Sequence, residues 1–96
     1  MYVATEAMRR GARVFRNLSP SGNTDLVFEK DDQLIRVDVK HMKLDSRFDT
    51  YQTNHAKRQP KNVYFCFVHP ETLEIRWLKF KGPQGIWKNF WNETIN

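Results

Sequence analysis

The chain has 96 residues, of which 40% are hydrophobic, which is enough apolar material for one small domain and argues against an intrinsically disordered chain. The formal net charge of +5 favours polyanionic partners, although many unrelated domains are mildly basic. A single cysteine excludes an intramolecular disulfide and fits a reducing compartment, and no apolar stretch is long enough to span a membrane. We therefore expect one soluble, cytoplasmic domain over residues 1–96.

The first predicted element is a helix over residues 2–11, which Gly11 ends. Its apolar stripe at helical spacing consists of Val3, Ala4, Ala7, Met8 and Gly11. Residues 12–18 indicate an extended segment. Residues 19–23 are rich in Ser, Pro, Gly and Asn, which predicts a turn.

Two strands are predicted next, over residues 24–28 and 34–40, with a polar turn at 29–33 between them. Because side chains alternate along a strand, the second strand has an apolar face and a charged face. The apolar face presents Ile35, Val37 and Val39, and the charged face presents Arg36, Asp38 and Lys40.

A short polar helix is predicted over residues 47–58. Ser46 and Asp49 have the spacing of a capping box at its start, and Pro60 ends it. Three cations flank this helix and are candidate phosphate contacts, with a solvated charged face as an equally weighted alternative. They are Lys57, Arg58 and Lys61.

The last predicted elements are strands. Residues 62–68 are apolar on both faces, which is typical of a central strand that is covered on both sides. Residues 73–80 predict an antiparallel partner strand, and 86–91 a helical turn. The order is therefore helix, three strands, helix and two strands. This order predicts an α+β fold with a mixed sheet whose central strands are 24–28, 34–40 and 62–68.

Charged side chains of two neighbouring strands suggest a hydrolytic site. Phosphodiester hydrolysis needs an activated water and stabilisation of a highly charged transition state. Carboxylates that hold Mg²⁺ and a nearby lysine supply both. Asp38 and Lys40 lie on one face with Cα atoms roughly 6–7 Å apart. If the two strands form a hairpin, Asp25 lies beside Asp38.

The segments 22–28 (Gly-Asn-Thr-Asp-Leu-Val-Phe) and 35–40 (Ile-Arg-Val-Asp-Val-Lys) resemble the PD-(D/E)XK nuclease superfamily. They look closest to its compact members, the Holliday-junction-resolvase-like and homing-endonuclease-like enzymes. The signature of that superfamily is an Asp in one strand and an acidic residue-x-Lys in the next. Its core begins with a helix, three strands and a second helix. The resemblance therefore implies a restriction-endonuclease-like core.

The resemblance also implies a role for individual residues. Asp25 and Asp38 would bind Mg²⁺, for which Mn²⁺ can substitute, and the carbonyl of Val39 would be a further metal ligand. Lys40 would position the attacking water. An acidic residue of the first helix often joins the site, and Glu6 has that place here, although an exposed helix acid needs no function.

Two functions follow from these expectations. The first is a Mg²⁺-dependent DNA endonuclease acting as a homodimer or higher oligomer, with branched DNA and a homing target both open as substrates. The second is a non-catalytic α+β nucleic-acid-binding protein, in which Asp25 and Asp38 only pair with basic neighbours. Gln52 is a further candidate polar contact. Trp87, Phe90 and Trp91 are expected to be core or dimer contacts.

Overall fold

The computed structural model describes residues 2–18 and 24–92, so the turn predicted over residues 19–23 lies outside the described residues. Within these ranges the chain forms the expected α+β fold, with a mixed five-stranded sheet. The elements are α1 (Tyr2–Arg9), β1 (Arg13–Arg16), β2 (Leu26–Lys30), β3 (Gln33–His41), α2 (Phe48–His55), β4 (Val63–Val68) and β5 (Ile75–Trp77).

Helix α1 ends close to its predicted boundary because Gly11 adopts a left-handed conformation, with φ of +91°. The N–H of Gly11 donates to the Met8 carbonyl at 3.0 Å, and the N–H of Ala12 donates to the Ala7 carbonyl at 3.1 Å. The predicted apolar stripe is wrong at Met8, which is exposed. Glu6 is buried instead, because the inward face of the helix carries an ion pair beside its small apolar side chains.

Strands β2 and β3 form a tight antiparallel hairpin. The turn residues Asp31 and Asp32 both have positive φ, 52° and 62°, as a two-residue type I′ turn requires. The loop is therefore shorter than the polar turn predicted over 29–33. The strands of the hairpin lengthen at its expense.

The sheet order is β1-β2-β3-β4-β5, so the three strands predicted as central are central. β4 runs parallel to β3, and α2 connects them. The capping box predicted for α2 is wrong. Arg47 is the N-cap residue and makes no side-chain cap, while the N–H of Ser46 donates to Lys43 in the preceding turn. The helix continues as a 3₁₀ turn over Ala56–Arg58.

Strand β5 is antiparallel to β4, as predicted, but it is much shorter than residues 73–80. Leu73 and Phe80 have φ of 62° and 70°, which an extended strand does not accommodate. After β5 the described chain ends in two 3₁₀ turns, Gly85–Trp87 and Phe90–Asn92, where a helical turn was expected.

Each face of the sheet carries its own apolar cluster. On one face, α1 and the carboxy-terminal aromatic side chains cover β2 to β5. Phe28 lies at the centre of this cluster, with its ring centroid 5.8–6.2 Å from those of three neighbours. These neighbours are Trp87, Phe90 and Trp91, so the aromatic tail belongs to the core. The thiol of Cys66 is buried here as expected, and burial raises its pKa.

The opposite face is covered only in part. Phe48 and Tyr51 of α2 pack on a small cluster of Met42, Phe65, Phe67 and Leu78. The cluster lies over β4 and its flanks, whereas Phe15 and Leu34 on β1 and β3 remain exposed. Neither helix of the described residues is long and apolar enough to cross a membrane.

Candidate active site

Asp25 and Asp38 face each other across the hairpin, as predicted. The ladder between β2 and β3 pairs Leu26 with Val37. It extends by one residue, because the N–H of Asp25 donates to the Val37 carbonyl at 2.9 Å. The Asp25 carboxylate also accepts the N–H of Val39, the residue after Asp38, at 2.8 Å through Oδ2.

Lys40 lies next to the aspartates and contacts one of them. Its Nζ lies 3.2 Å from Oδ2 of Asp38 and 4.9 Å from the centroid of the Phe65 ring. Phe65 is buried directly beside Asp38 in the parallel ladder, so it forms an apolar floor under the ion pair. Lys40 thus contacts a carboxylate and an aromatic face at once, which restricts the ammonium group to the neighbourhood of the two aspartates.

The surroundings of Asp38 disfavour its ionised form. Burial raises the pKa of Asp38, and the adjacent Asp25 carboxyl raises it further, while Lys40 opposes both effects. The side chain of Asp38 is only 13% exposed, so water screens this repulsion poorly. One ammonium group thus faces two carboxyl groups, and the ionised form of Asp38 is disfavoured.

The backbone of Val39 also points toward this pair. In a β-strand the N–H and C=O of one residue point to the same neighbouring strand. The N–H of Val39 donates to the Asp25 side chain, so in an extended strand its carbonyl is directed to the β2 side of β3. Metal ligation by this carbonyl stays a prediction from the resemblance.

The donor set fits a hard divalent cation such as Mg²⁺. Carboxylate and carbonyl oxygens are the ligands that this ion prefers, and its charge would offset the surplus of the Asp25–Asp38 pair. The site supplies two acidic side chains. In residues 2–18 and 24–92 no group of three or more His, Cys, Asp or Glu side chains is arranged to hold a metal ion.

Glu6 does not join this site in the structure. One of its carboxylate oxygens accepts from Arg9 at 3.0 Å and the other from Arg10 at 3.1 Å. Arg10 also donates to the Trp91 carbonyl and lies over the Trp91 ring. These hydrogen bonds lower the pKa of Glu6 despite its burial. The structure therefore does not bring Glu6 to the aspartates, because both of its oxygens are engaged with Arg9 and Arg10.

The candidate DNA contacts differ in their placement. Gln52 is buried, and its Oε1 accepts the backbone N–H of Lys79 at 2.6 Å, so it is a structural group rather than a surface contact. The three cations are exposed at the end of α2 and in the turn before β4. They are Lys57, Arg58 and Lys61.

The sequence-based prediction of the site did not include two groups that support it. Phe65 forms its floor, and the amide Nδ2 of Asn17 donates to the Thr24 carbonyl at 2.6 Å, beside Asp25. The apolar character of residues 62–68 predicted that Phe65 is buried. Its position beside Asp38 depends on the register between β3 and β4, which no sequence motif predicts. The contact of Asn17 with Thr24 joins residues on either side of positions 19–23 and has no sequence signal.

Neither protein-family models nor curated proteins give a match to this chain. The PD-(D/E)XK resemblance accordingly stands on the residues of the β2–β3 hairpin and on the order of the elements.

Proposed function

We propose that this protein is a Mg²⁺-dependent DNA endonuclease of PD-(D/E)XK type. One observation carries the proposal: Asp25, whose Oδ2 accepts the Val39 N–H at 2.8 Å, lies across the hairpin from Asp38, and the ammonium group of Lys40 is 3.2 Å from Asp38. A pair of carboxylates placed together at the end of a hairpin destabilises the metal-free protein. Such an arrangement is expected where a cation is to be bound.

In this proposal Asp25 and Asp38 hold the ion, and the Val39 carbonyl completes the protein ligands. A bound Mg²⁺ supplies Lewis acidity, which neutralises charge on the phosphate and lowers the pKa of the attacking water. The N–H of Val39 fixes one oxygen of Asp25, so this carboxylate is held in place before any ligand arrives.

Lys40 orients the water and offsets charge in the transition state. Its side chain is 32% exposed, so a phosphate can approach the ammonium from solvent. The Phe65 ring and the Asp38 carboxylate hold Nζ on the same side of the sheet as both aspartates. A preorganised cation of this kind acts mainly where negative charge develops, and therefore on the rate rather than on binding.

The partner in this proposal is DNA, and the acting form is a homodimer. The net charge of +5 and the exposed cations Lys57, Arg58 and Lys61 suit a phosphate backbone. One site cuts one strand, so cutting two strands requires a second copy related by symmetry. The aromatic tail no longer argues for the dimer, because its rings lie in the core. A cytoplasmic location agrees with the single, buried cysteine.

A second candidate function is a nucleic-acid-binding protein without catalysis. It is favoured by the ion pair between Lys40 and Asp38, and by the engagement of Glu6 with arginines rather than with the aspartates. In that case the carboxylates only set the shape of the hairpin, and added metal has no effect.

Incubation of supercoiled plasmid with the protein separates these two functions. We expect cleavage in Mg²⁺ or Mn²⁺ and none in EDTA. Asp38→Asn should lower the rate more than about 100-fold while DNA binding is retained, because the carboxylate repels phosphate in the absence of metal. Asp49→Asn makes the same chemical change on the exposed surface of α2 and serves as the control. Equal rates for both variants, or no cleavage by the wild type, would contradict the proposal.

A further inference from the structure

The strands beside the carboxylate pair present an uncovered surface. We call it the open face, and it lies on the α2 side of the sheet, where α2 does not reach. Its members share exposure or partial exposure on β1, β2 and β3. They are Arg13, Phe15, Val27, Glu29, Leu34 and Arg36, and Glu29 is ion-paired with Arg13 at 3.3 Å.

The open face is continuous with the carboxylate pair. Phe15, Val27 and Arg36 are register partners, so their side chains form one row across three strands. Val27 is two residues from Asp25, and Arg36 is two residues from Asp38. This row therefore lies directly next to the two aspartates on the same face, at roughly 6–7 Å along the strands. A DNA strand whose scissile phosphate lies at the two aspartates extends from them either over this row or away from it.

The chemistry of the row suits a nucleobase. Phe15 is 45% exposed although it lies in a strand, and the guanidinium of Arg13 lies 5.6 Å from the centroid of its ring. Arg36 is exposed on the other side of Val27. An exposed aromatic ring binds single-stranded nucleic acid by stacking on a base, and a nearby arginine pairs with phosphate. Arg13 is ion-paired with Glu29, so Arg36 is the phosphate contact of this row.

A shallow depression extends this surface toward further cations. Its volume is about 520 Å³, and it is lined by Val27, Leu34, Ile35, Arg36, Asn62 and Tyr64. Asn62 follows the exposed Lys61 in the turn before β4. Arg36 in this depression and Lys40 further along the same face of β3 both offer positive charge to a phosphate backbone.

A second copy of this chain is a poorer occupant of the open face. It would cover Asp25 and Asp38, which must stay accessible if the proposed function holds. It would also bring the arginines of two open faces together, and like charges at an interface oppose association. A duplex is poorer too, since its bases are stacked inside and present no free ring surface to Phe15.

We propose that the open face binds an unpaired DNA strand, with Phe15 stacked on a base next to the scissile phosphate. The inference rests on the proposed function and assigns its substrate class. The substrate would be DNA with a single-stranded segment, such as a flap, a tailed duplex or a branch point.

The test compares two exposed phenylalanines, Phe15 on the open face and Phe80 outside it. Phe80 is 93% exposed and has Lys79 over its ring at 5.3 Å, but it follows β5 at the opposite end of the sheet order. Binding of a labelled 12-nucleotide single strand and of a blunt duplex is measured by fluorescence anisotropy in EDTA, where no cleavage is expected. Phe15→Leu should weaken single-strand binding about 5- to 100-fold, whereas Phe80→Leu should not. Duplex affinity should stay within about twofold for both variants.

Cleavage of a tailed and a blunt duplex in Mg²⁺ then separates this inference from the proposed function. A loss of single-strand binding in Phe15→Leu supports the open face as the DNA site, even if the wild type cuts nothing and the proposed function fails. Equal behaviour of Phe15→Leu and Phe80→Leu overturns the inference while wild-type cleavage still stands. Tighter binding of RNA than of DNA, or a dimer that Phe15→Leu dissociates in sedimentation, would also overturn it.

Discussion

Glu6 and Asp38 have almost equal coverage, with side chains 12% and 13% exposed, and each contacts a cation. Their pKa values nevertheless move in opposite directions, downward for Glu6 and upward for Asp38. Glu6 receives hydrogen bonds from two arginines. Asp38 has one lysine and faces a second carboxyl group. At Glu6 the hydrogen bonds from the arginines outweigh the effect of burial on the pKa, whereas at Asp38 burial is the largest effect and the second carboxyl group adds to it.

This comparison separates a structural acid from a functional candidate. The Glu6 cluster is complete within the chain, because two guanidinium groups contact one carboxylate, and that of Arg10 also donates to the Trp91 carbonyl. The cluster of Asp25, Asp38 and Lys40 keeps a surplus of negative charge, which a divalent cation would neutralise. A carboxyl group with a raised pKa beside a second one is therefore a better indicator of a site than a buried ion pair is.

The largest expected effect concerns the cluster of Asp25, Asp38 and Lys40, the functional candidate in this comparison. Lys40→Ala should lower plasmid cleavage by about 10²–10³-fold, because the transition state loses a preorganised positive charge. The metal ligands remain, so metal affinity should change little, and excess Mn²⁺ should not restore the rate. Lys88→Ala removes an exposed lysine from the carboxy-terminal part of the chain and is the control. A Lys40→Ala variant as active as this control would remove lysine from the mechanism.

The next largest effect concerns Glu6, the structural acid in this comparison. Glu6→Gln should lower the free energy of unfolding by about 1.5–3 kcal/mol, since Arg9 and Arg10 lose charged hydrogen-bond partners. Because folding lowers the pKa of Glu6, its stabilisation is full above the ordinary glutamate value of about 4.3 and disappears as the pH falls through the lowered value. Urea unfolding at pH 7 and at pH 3 measures both. Glu71→Gln, in an exposed turn, is the control.

If the Glu6→Gln variant unfolds like wild type but cannot bind metal, Glu6 belongs to the active site and the comparison fails. Isothermal titration of the folded variant with Mn²⁺ gives this answer separately from stability.

The smallest effect has the opposite sign. Asp38→Asn should stabilise the metal-free protein at pH 7, by less than Glu6→Gln destabilises it, because the repulsion from Asp25 is removed. Folding raises the pKa of Asp38, so the penalty is absent below the ordinary aspartate value of about 3.9 and develops as the pH rises through the raised value. Thermal unfolding in EDTA at pH 3.5 and pH 7 tests this. A variant less stable than wild type at pH 7 would contradict it.

Much of the fold could be predicted from the sequence, because alternation and turn residues are local signals. The strands around Val37 and Phe65 follow from their apolar patterns, and the hairpin register brings Asp25 to Asp38. Strand ends were less predictable. β5 is shortened by the left-handed backbone at Leu73 and Phe80. The identity of these two residues does not predict that conformation. The cap at Ser46 was wrong because a neighbouring turn takes its N–H.

The candidate site was predictable where it is local and not where it depends on packing. Asp38 and Lys40 are two residues apart in one strand, so alternation alone places them together. The structural role of Glu6 also had a local signal, since Arg9 and Arg10 follow at helical spacings of three and four. The position of Phe65 depends on parallel pairing of strands that are distant in sequence, which the sequence does not specify.

The most direct measurement is the titration of the side-chain carboxyl carbons by NMR, with and without Mg²⁺. The expected result is a pKa above the ordinary aspartate value for Asp38 in the metal-free protein, and a decrease when Mg²⁺ is added. Glu6 should titrate below the ordinary glutamate value in both conditions and should not respond to the ion. An Asp38 carboxyl that titrates at or below its ordinary value, or one that Mg²⁺ leaves unchanged, would contradict the assignment of Asp25 and Asp38 as a metal site.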